Sequence, residues 1–592
     1  MVKMYMPVVL FVLLLICIID FYFFRFFQTH ISVLIFGIVQ DDTIAVAKFL
    51  YGNYPVFYII AGAATSYIIF RKVIVSRFIL NTAITRAPAS PYLKSSAAIL
   101  VFSGAFLGIR GTLPTPDSFP LLVDDASVST NIFINSIPLN PIFAFKQAIS
   151  DLQEETVERD MDKIVANSGF TSVAAAYSFF KGRHTGNITP DSLFNTTAPA
   201  DTPALHMPNV VVVQMESMSC HLLDFHNHKT LNLLGALADE LPGCYVFKNA
   251  LPCQDGTNHS LEGLLLNTPR ASVSQSVLMT HPFSGANALP FQHAGYNTFF
   301  ITGAKTGWRN INQFVPPQGF NTLEGDIAVA RHVPGTTFNE WGAYDEFMFE
   351  RMWQVLNNST RPTFIFGMTT TNHPRYFLPD TYHPLPIQLN PVLRQRRIKD
   401  SATLIENLKT YQYANNCLGN FIKKVKASPA GSNTIIIATG DHNIHDLINY
   451  SGAELLQANS VPIIMYIPDA LKPAQPVNTK RFVSHKDIFT SIIPLALQEA
   501  KYFALGNNIF DTNTKSKGFD FAIYCGNIAY NNAGVCMLKE KTFYKWADNN
   551  RQLLIPAKQP ISKELDSLAK MAKAYMLLSN YYLAEEYKRS RK

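Results

Sequence analysis

Asn209-Val210-Val211-Val212-Val213-Gln214-Met215 is followed by Glu216, and this stretch decides the fold. Four valines in a row, with no polar alternation, predict a strand buried on both faces. Two other runs have the same character: Thr363-Phe-Ile-Phe-Gly-Met-Thr369 before His373, and Thr434-Ile-Ile-Ile-Ala-Thr439 before Asp441-His442. Strands apolar on both faces are parallel strands covered by helices, and such sheets bind ligands at their carboxyl ends. Residues some two hundred positions apart are therefore expected on one rim. Glu216, Asp441 and His442, with the hydroxyl of Thr257, would make a hard-cation site holding a nucleophile.

Each residue also has a plainer reading. Thr257 follows Gly256 and precedes Leu261, Leu264, Leu265 and Leu266, so it could simply cap a helix. The same helix start would offer free N–H groups to an anion. Glu216 could be a helix N-terminal acid, Asp441-His442 a turn, and His373 a loop histidine. Trp308-Arg309-Asn310 could be an exposed loop. Their common placement after buried strands favours the site.

Five short motifs occur in order: Gln214-Met-Glu-Ser-Met218, Asp255-Gly-Thr-Asn258, Trp341-Gly342 with Asp345-Glu346, Thr370-Thr-Asn-His-Pro374 and Thr439-Gly-Asp-His442. Together they resemble the lipoteichoic acid synthase branch of the alkaline phosphatase/sulfatase superfamily, over roughly residues 200–500. The resemblance implies one divalent metal, Mn²⁺, Zn²⁺ or Mg²⁺, held by Glu216, Thr257, Asp441 and His442. It implies Thr257 as nucleophile, and His373 as a phosphate contact or a proton donor to the leaving alcohol. Trp308, Arg309 and Asn310 correspond to a stretch that holds glycerol phosphate, here in the order Trp-Arg-Asn. The histidine expected shortly before the Trp is missing from Phe300-Ile-Thr-Gly-Ala-Lys305. Lys305 or Arg309 would supply the lost charge. His485, in Val483-Ser-His-Lys-Asp487, resembles a further late motif.

The chain has 592 residues, 48% hydrophobic and 12% aromatic, with the apolar excess at its N-terminus. Residues 5–24 are apolar apart from Asp20, long enough to cross a ~30 Å hydrocarbon core. Second and third candidate spans are 54–70 and about 95–113. The intervening loop carries Arg71, Lys72, Arg77, Arg86 and Lys94 and no acid, whereas Asp41 and Asp42 lie between the first two spans. The positive-inside rule then places everything after residue 114 outside a bacterial cytoplasmic (inner) membrane. An even number of spans would leave the enzyme inside. Six of the seven cysteines follow the spans, which suggests disulfides in an oxidising compartment. Cys525 and Cys536 bracket a short hairpin, and Cys244 and Cys253 the approach to Thr257. Cys220 and Cys417 remain for each other if those local pairs form; the connectivity stays open, and buried free thiols are the alternative. The net charge of +7 is diffuse, so nucleic-acid binding has no support.

The expected organisation is a transmembrane anchor over 1–114 and a connector over 115–207, with helices near 141–164 and 170–181. A sulfatase-like α/β/α sandwich follows over 208–512. A small antiparallel subdomain with a final helix occupies 513–592. The expected activity is phosphoglycerol transfer from a membrane phospholipid, phosphatidylglycerol, through a covalent threonine intermediate. The acceptor would be a glycan, glycolipid or growing polymer of the cell envelope. Phosphoethanolamine transfer uses the same threonine and metal and is the main alternative. A sulfatase would need a Cys/Ser-x-Pro-x-Arg context, which residues 253–262 lack. A membrane scaffold would need neither a placed hydroxyl nor a ligand set.

Overall fold

The computed structural model describes residues 2–27, 30–31, 35, 56–72, 90–110, 140–154, 160–182, 188–189, 192, 196–198 and 207–590, the last stretch except 271, 277, 340, 446 and 512–519. The chain divides into two compact units, Met1–Gln153 and Glu154–Lys592.

The first unit contains the helices α1 (Val2–Phe27), α2 (Val56–Ile69), α3 (Pro91–Arg110) and α4 (Pro141–Glu154). The three sequence-derived spans fall on α1, α2 and α3. Among the described residues no helix is long and apolar enough to cross a membrane. Most of the basic 71–94 loop, and Asp41 and Asp42, lie outside the described residues. Asp20, the acid inside the first apolar run, is buried and paired: it accepts the Ile31 N–H at 2.8 Å and lies 2.7 Å from His30 Nδ1.

The second unit opens with α5 (Met161–Ser168) and α6 (Val173–Lys181). The helix expected over 141–164 is thus two helices. Asp160 caps α5, its side chain accepting the N–H of Asp162 and Lys163.

The Val-rich run forms β1 (Asn209–Met215), central in a seven-stranded sheet. The other strands, in chain order, are β2 (Tyr245–Phe247), β4 (Asn297–Thr302), β5 (Thr322–Glu324), β6 (Thr363–Met368), β7 (Thr434–Gly440) and β8 (Ile463–Tyr466); the short β3 (Ala250–Leu251) lies outside this sheet. The spatial order is β2-β8-β7-β1-β6-β4-β5. The five strands from β7 to β5 are mutually parallel, and β8 runs antiparallel to β7. The sheet is therefore mixed rather than wholly parallel. Register fixes the rim: Met215 lies opposite Gly440, and Gln214 opposite Met368. The residues that follow, Glu216, Thr369 and Asp441, emerge side by side at the carboxyl edge.

Four helices matter for the site and its surroundings: α7 (Thr257–Leu266), α8 (Asp345–Asn358), α9 (Ser401–Lys426) and the final α10 (Lys563–Ser590). Val211, Val213, Ile365 and Ile436 pack with Met348 and Met352 of α8 and Leu408, Leu418 and Ile422 of α9 in one core. Each such side chain contributes about 1.5–3 kcal/mol when fully buried.

Past the sheet, β9 (Val483–Ser484) pairs in parallel with β3. The antiparallel C-terminal sheet comprises β10 (Ala522–Tyr524), β11 (Ile528–Asn531), β12 (Gly534–Met537) and β13 (Thr542–Tyr544), as the turn at Asn531-Asn532 with Gly534 predicts. Helix α10 packs on this sheet and on α5 and α6.

The expected disulfides do not form; all seven cysteines are free. The thiols of Cys220, Cys244 and Cys253 turn instead to backbone oxygens of Lys248, Glu240 and Ser260. Cys536 stands opposite Ala529, not Cys525. Burial pushes the Cys220 and Cys253 thiols up to about 12, which keeps them protonated and unreactive.

Candidate active site

Helix α7 begins at the proposed nucleophile. Gly256, just before it, has φ +150°, a conformation that L side chains rarely adopt. The α7 ladder starts with Ser260 N–H to Gly256 O at 2.9 Å, which leaves the N–H groups of Thr257, Asn258 and His259 outside it. Gln214, the last polar residue of β1, donates to Thr257 O at 2.8 Å and ties the helix start to the sheet. From the other side Ser260 donates to Asp441 O at 2.5 Å.

Thr257 Oγ1 donates to Glu216 Oε2 at 2.9 Å, and Ser217 Oγ donates to Glu216 Oε1 at 2.9 Å. Asp441 Oδ1 accepts the N–H groups of Ser217 and His442, each at 2.7 Å, while its Oδ2 is buried with no hydrogen-bond partner. His442 Nε2 lies 3.6 Å from both Glu216 Oε1 and Asp441 Oδ2. Its Nδ1 faces Asn443 O at 2.7 Å, which turns Nε2 towards the carboxylates. One ligand atom from each of Glu216, Asp441 and His442 lies within 4.8 Å of the others. Two buried carboxylates and an imidazole, with an orphaned oxygen facing inward, fit a divalent cation. Burial, and then the Glu216 carboxylate, push Asp441 up to about 7. For His442, burial pulls the imidazole down, but Asp441 and Glu216 outweigh it and the net shift is upward. Gly440 lets this turn form, since a Cβ there would meet Met218 O at 2.4 Å.

The neighbouring loop carries His373. Thr369 Oγ1 accepts the Glu216 N–H at 2.8 Å. Asn372 is wholly buried; its amide donates to Glu216 O and Ser217 O, and its Oδ1 accepts from Thr410 and Asn407 of α9. Asp345 accepts the N–H groups of Thr370 and Thr371. Burial raises the Asp345 carboxyl to about 6. Trp341 lies against His373, ring centroids 3.7 Å apart, and donates to Pro374 O at 3.1 Å. The Trp-Gly and Asp-Glu motif thus holds the histidine loop in place. Sequence reasoning gave Asp345 and Asn372 no role of their own, although both stand inside the quoted motifs.

Trp308, Arg309 and Asn310 form a short turn after β4. Asn310 Nδ2 donates to Ser274 O at 3.3 Å, and the Arg309 charge helps to lower the pKa of His259, in the first turn of α7, after burial. Asp255, two residues before Thr257, bonds His445 Nε2 at 2.7 Å, and the His445 ring stacks on His442. The sequence reading missed this pair. Ser217, Arg309, Asn310, Arg375 and Tyr376 all have positive φ, between 43° and 80°, though none is glycine. Such strain costs on the order of 1–3 kcal/mol per residue and gathers at functional sites.

His485 lies beneath the rim, not in it. Its Nε2 contacts Gly440 O at 3.0 Å and Thr439 Oγ1 at 3.1 Å, and its Nδ1 accepts the Cys253 N–H at 3.4 Å. It joins the end of β7 to the strand leading to Thr257. Burial, opposed only by the bond to Gly440, lowers its pKa to about 3. The unfolded chain binds a proton near pH ~6.5 that the fold refuses, so this stability is complete above that pH and falls as pH drops below it. Denaturant titrations should show wild-type stability falling by about 1.4 kcal/mol per pH unit more than that of His485→Gln between about pH 6 and about pH 4. Parallel pH profiles for the two proteins would contradict this.

Residues 208–498 match the Sulfatase family model. Phosphoglycerol transferase I of Escherichia fergusonii is 24% identical over 263 residues, 43% of this chain and 33% of that protein. The protein of the same name from Salmonella arizonae is 27% identical over 269 residues, again 43% and 33%. These matches therefore span a third of the relatives' length. A protein in the alkaline phosphatase superfamily from Vibrio parahaemolyticus superposes with TM-score 0.55 at 19% identity, covering 74% of this chain and 99% of that one. The lipoteichoic acid synthase LtaP from Listeria monocytogenes gives 0.51 at 13%, covering 67% and 97%. With the fold and the carboxyl-edge cluster, these findings define the class of the domain: residues 208–498 form a sulfatase-type domain. The domain shares its fold with the lipoteichoic acid synthase LtaP.

Proposed function

We propose that the protein is a metal-dependent phosphoglycerol transferase that works through a covalent intermediate on Thr257. The observation that carries the proposal is the Thr257 hydroxyl, 2.9 Å from Glu216 at a helix N-terminus, beside the buried Glu216–Asp441–His442 cluster. Glu216, Thr257, Asp441 and His442 would hold one divalent ion, Mn²⁺, Zn²⁺ or Mg²⁺. Once bound, the ion would lower the hydroxyl pKa and offset phosphoryl charge.

Thr257 Oγ attacks the phosphorus of phosphatidylglycerol. A P–O bond forms to Thr257, the bond to diacylglycerol breaks, and the hydroxyl proton leaves with diacylglycerol. His373, held by Trp341, contacts the phosphate or delivers that proton. The free N–H groups at the start of α7 receive the phosphoryl oxygens. An acceptor hydroxyl of an envelope glycan, glycolipid or polymer then displaces the group from Thr257. Trp308, Arg309 and Asn310 hold the glycerol end. The apolar runs at 5–24, 54–70 and about 95–113 would supply a multi-pass anchor in the cytoplasmic membrane, with the sulfatase domain outside, near its lipid donor.

Mass spectrometry of the trapped intermediate tests the reading. A phosphoglycerol increment on Thr257 is expected. Phosphoethanolamine on Thr257 would replace the proposed headgroup, in keeping with the histidine missing before Trp308. A label on another residue would overturn the mechanism.

A further inference from the structure

A second polar cavity, about 240 Å³, lies where the segment before β9 meets the C-terminal sheet; Asn478, Lys480, Arg481, Asp520, Asn532 and Arg551 line it. It lies towards the opposite end of β3 from Thr257. Asn249, just before β3, donates to Lys480 O at 3.0 Å, whereas Thr257 follows the carboxyl end of β3. The cavity thus sits at the amino ends of β3 and β9.

Three cations face one acid there. Asp520 is taken up by Arg481 Nη2. Arg481 Nη1 donates to Ile509 O at 2.9 Å and Asp511 O at 3.2 Å, so the guanidinium is fixed. Its Nε–H is nevertheless buried with no acceptor among the described residues. A buried donor left unmade costs about 1–3 kcal/mol, more when charged, and calls for a reason. Lys480 and Arg551 have no carboxylate within 4.0 Å among the described residues. Arg551 is also held at φ +58° by a turn in which Asp548 accepts the N–H groups of Arg551 and Gln552. An uncompensated positive cavity, an orphaned guanidinium N–H and a strained arginine coincide. The volume is many times the ~30 Å³ of a water and below the ~300 Å³ of a drug-sized pocket.

The geometry points to a second binding site in this cavity, for the phosphate ester of a small polyol, held by Lys480, Arg481 and Arg551. The phosphate would accept from Arg481 Nε and take its charge balance from Lys480 and Arg551. Asn478 and Asn532 offer amides to the polyol hydroxyls. The same chemistry is presented by a free polyol phosphate and by a phospholipid headgroup. The site does not depend on the reaction assigned to Thr257.

Titration of the full-length protein tests it. Asp441→Asn serves as the background, to weaken anion binding at the first site. The probes are inorganic phosphate, sn-glycerol phosphate and phosphatidylglycerol vesicles. Arg551→Ala and Lys480→Ala, added singly, should each weaken binding of soluble phosphate or of vesicles by about tenfold. Loss confined to the soluble probes assigns the site to free polyol phosphate, and loss confined to vesicles assigns it to a lipid headgroup. Arg551 and Lys480 are half-buried and exposed, so their variants should keep the wild-type circular dichroism spectrum. Unchanged affinity for every probe in both folded variants would overturn the proposal. So would crystals soaked in phosphate that show the anion only beside Thr257.

Discussion

Thr257→Ala should reduce headgroup transfer by on the order of 10⁴–10⁶-fold, the scale seen when a covalent nucleophile is deleted. The size follows from the site's economy. One hydroxyl must receive the group from the donor and yield it to the acceptor, and the neighbouring Ser217 and Ser260 are committed elsewhere. Ser217 Oγ is bonded to Glu216, and Ser260 Oγ to Asp441 O and Gln254 O. The fold should survive, because Thr257 holds the helix through its backbone carbonyl, which the substitution keeps. The assay is lipid headgroup release with thermal melting alongside. A folded Thr257→Ala protein with more than about one-hundredth of wild-type turnover would remove the threonine from the mechanism.

The second large effect belongs to Asp441. Asp441→Asn should abolish tight metal binding and with it the dependence of melting temperature on the ion. In the wild type, an ion at about a thousand times its Kd should add about 4 kcal/mol of stability, and a chelator should remove it. In Asp441→Asn the chelator should change nothing. The metal-free variant should also be no less stable than the metal-free wild type. Its amide ends the repulsion of a buried carboxylate by Glu216 and keeps Oδ1 as acceptor for Ser217 and His442. Equal metal-induced stabilisation of the two proteins would exclude Asp441 as a ligand.

The meeting of Glu216, Asp441 and His442 was legible in the sequence because Glu216 and the Asp441-His442 pair each follow a buried strand. Parallel register then does the rest, setting Glu216 beside Asp441 from opposite parts of the chain. Strand direction was not legible for Ile463–Tyr466: an apolar run looks the same whichever way it enters the sheet, and this one runs antiparallel. Cysteine parity failed for a related reason. An even count carries no distances, and the buried thiols found backbone acceptors instead. The supports of the rim stayed hidden because their partners are remote. Asn372 depends on Thr410 and Asn407, and Asp345 on the amides of 370 and 371, contacts that exist only once α8 and α9 are packed.

The left-handed residues around the rim have an outcome for directed evolution. Asn310→Gly or Arg375→Gly would relax backbone conformations that a side chain resists, at φ +60° and +80°. Libraries selected for heat tolerance alone should therefore accumulate glycine at these positions and lose turnover as they do. Thermostable descendants would drift into inert scaffolds unless every round also selects for transfer.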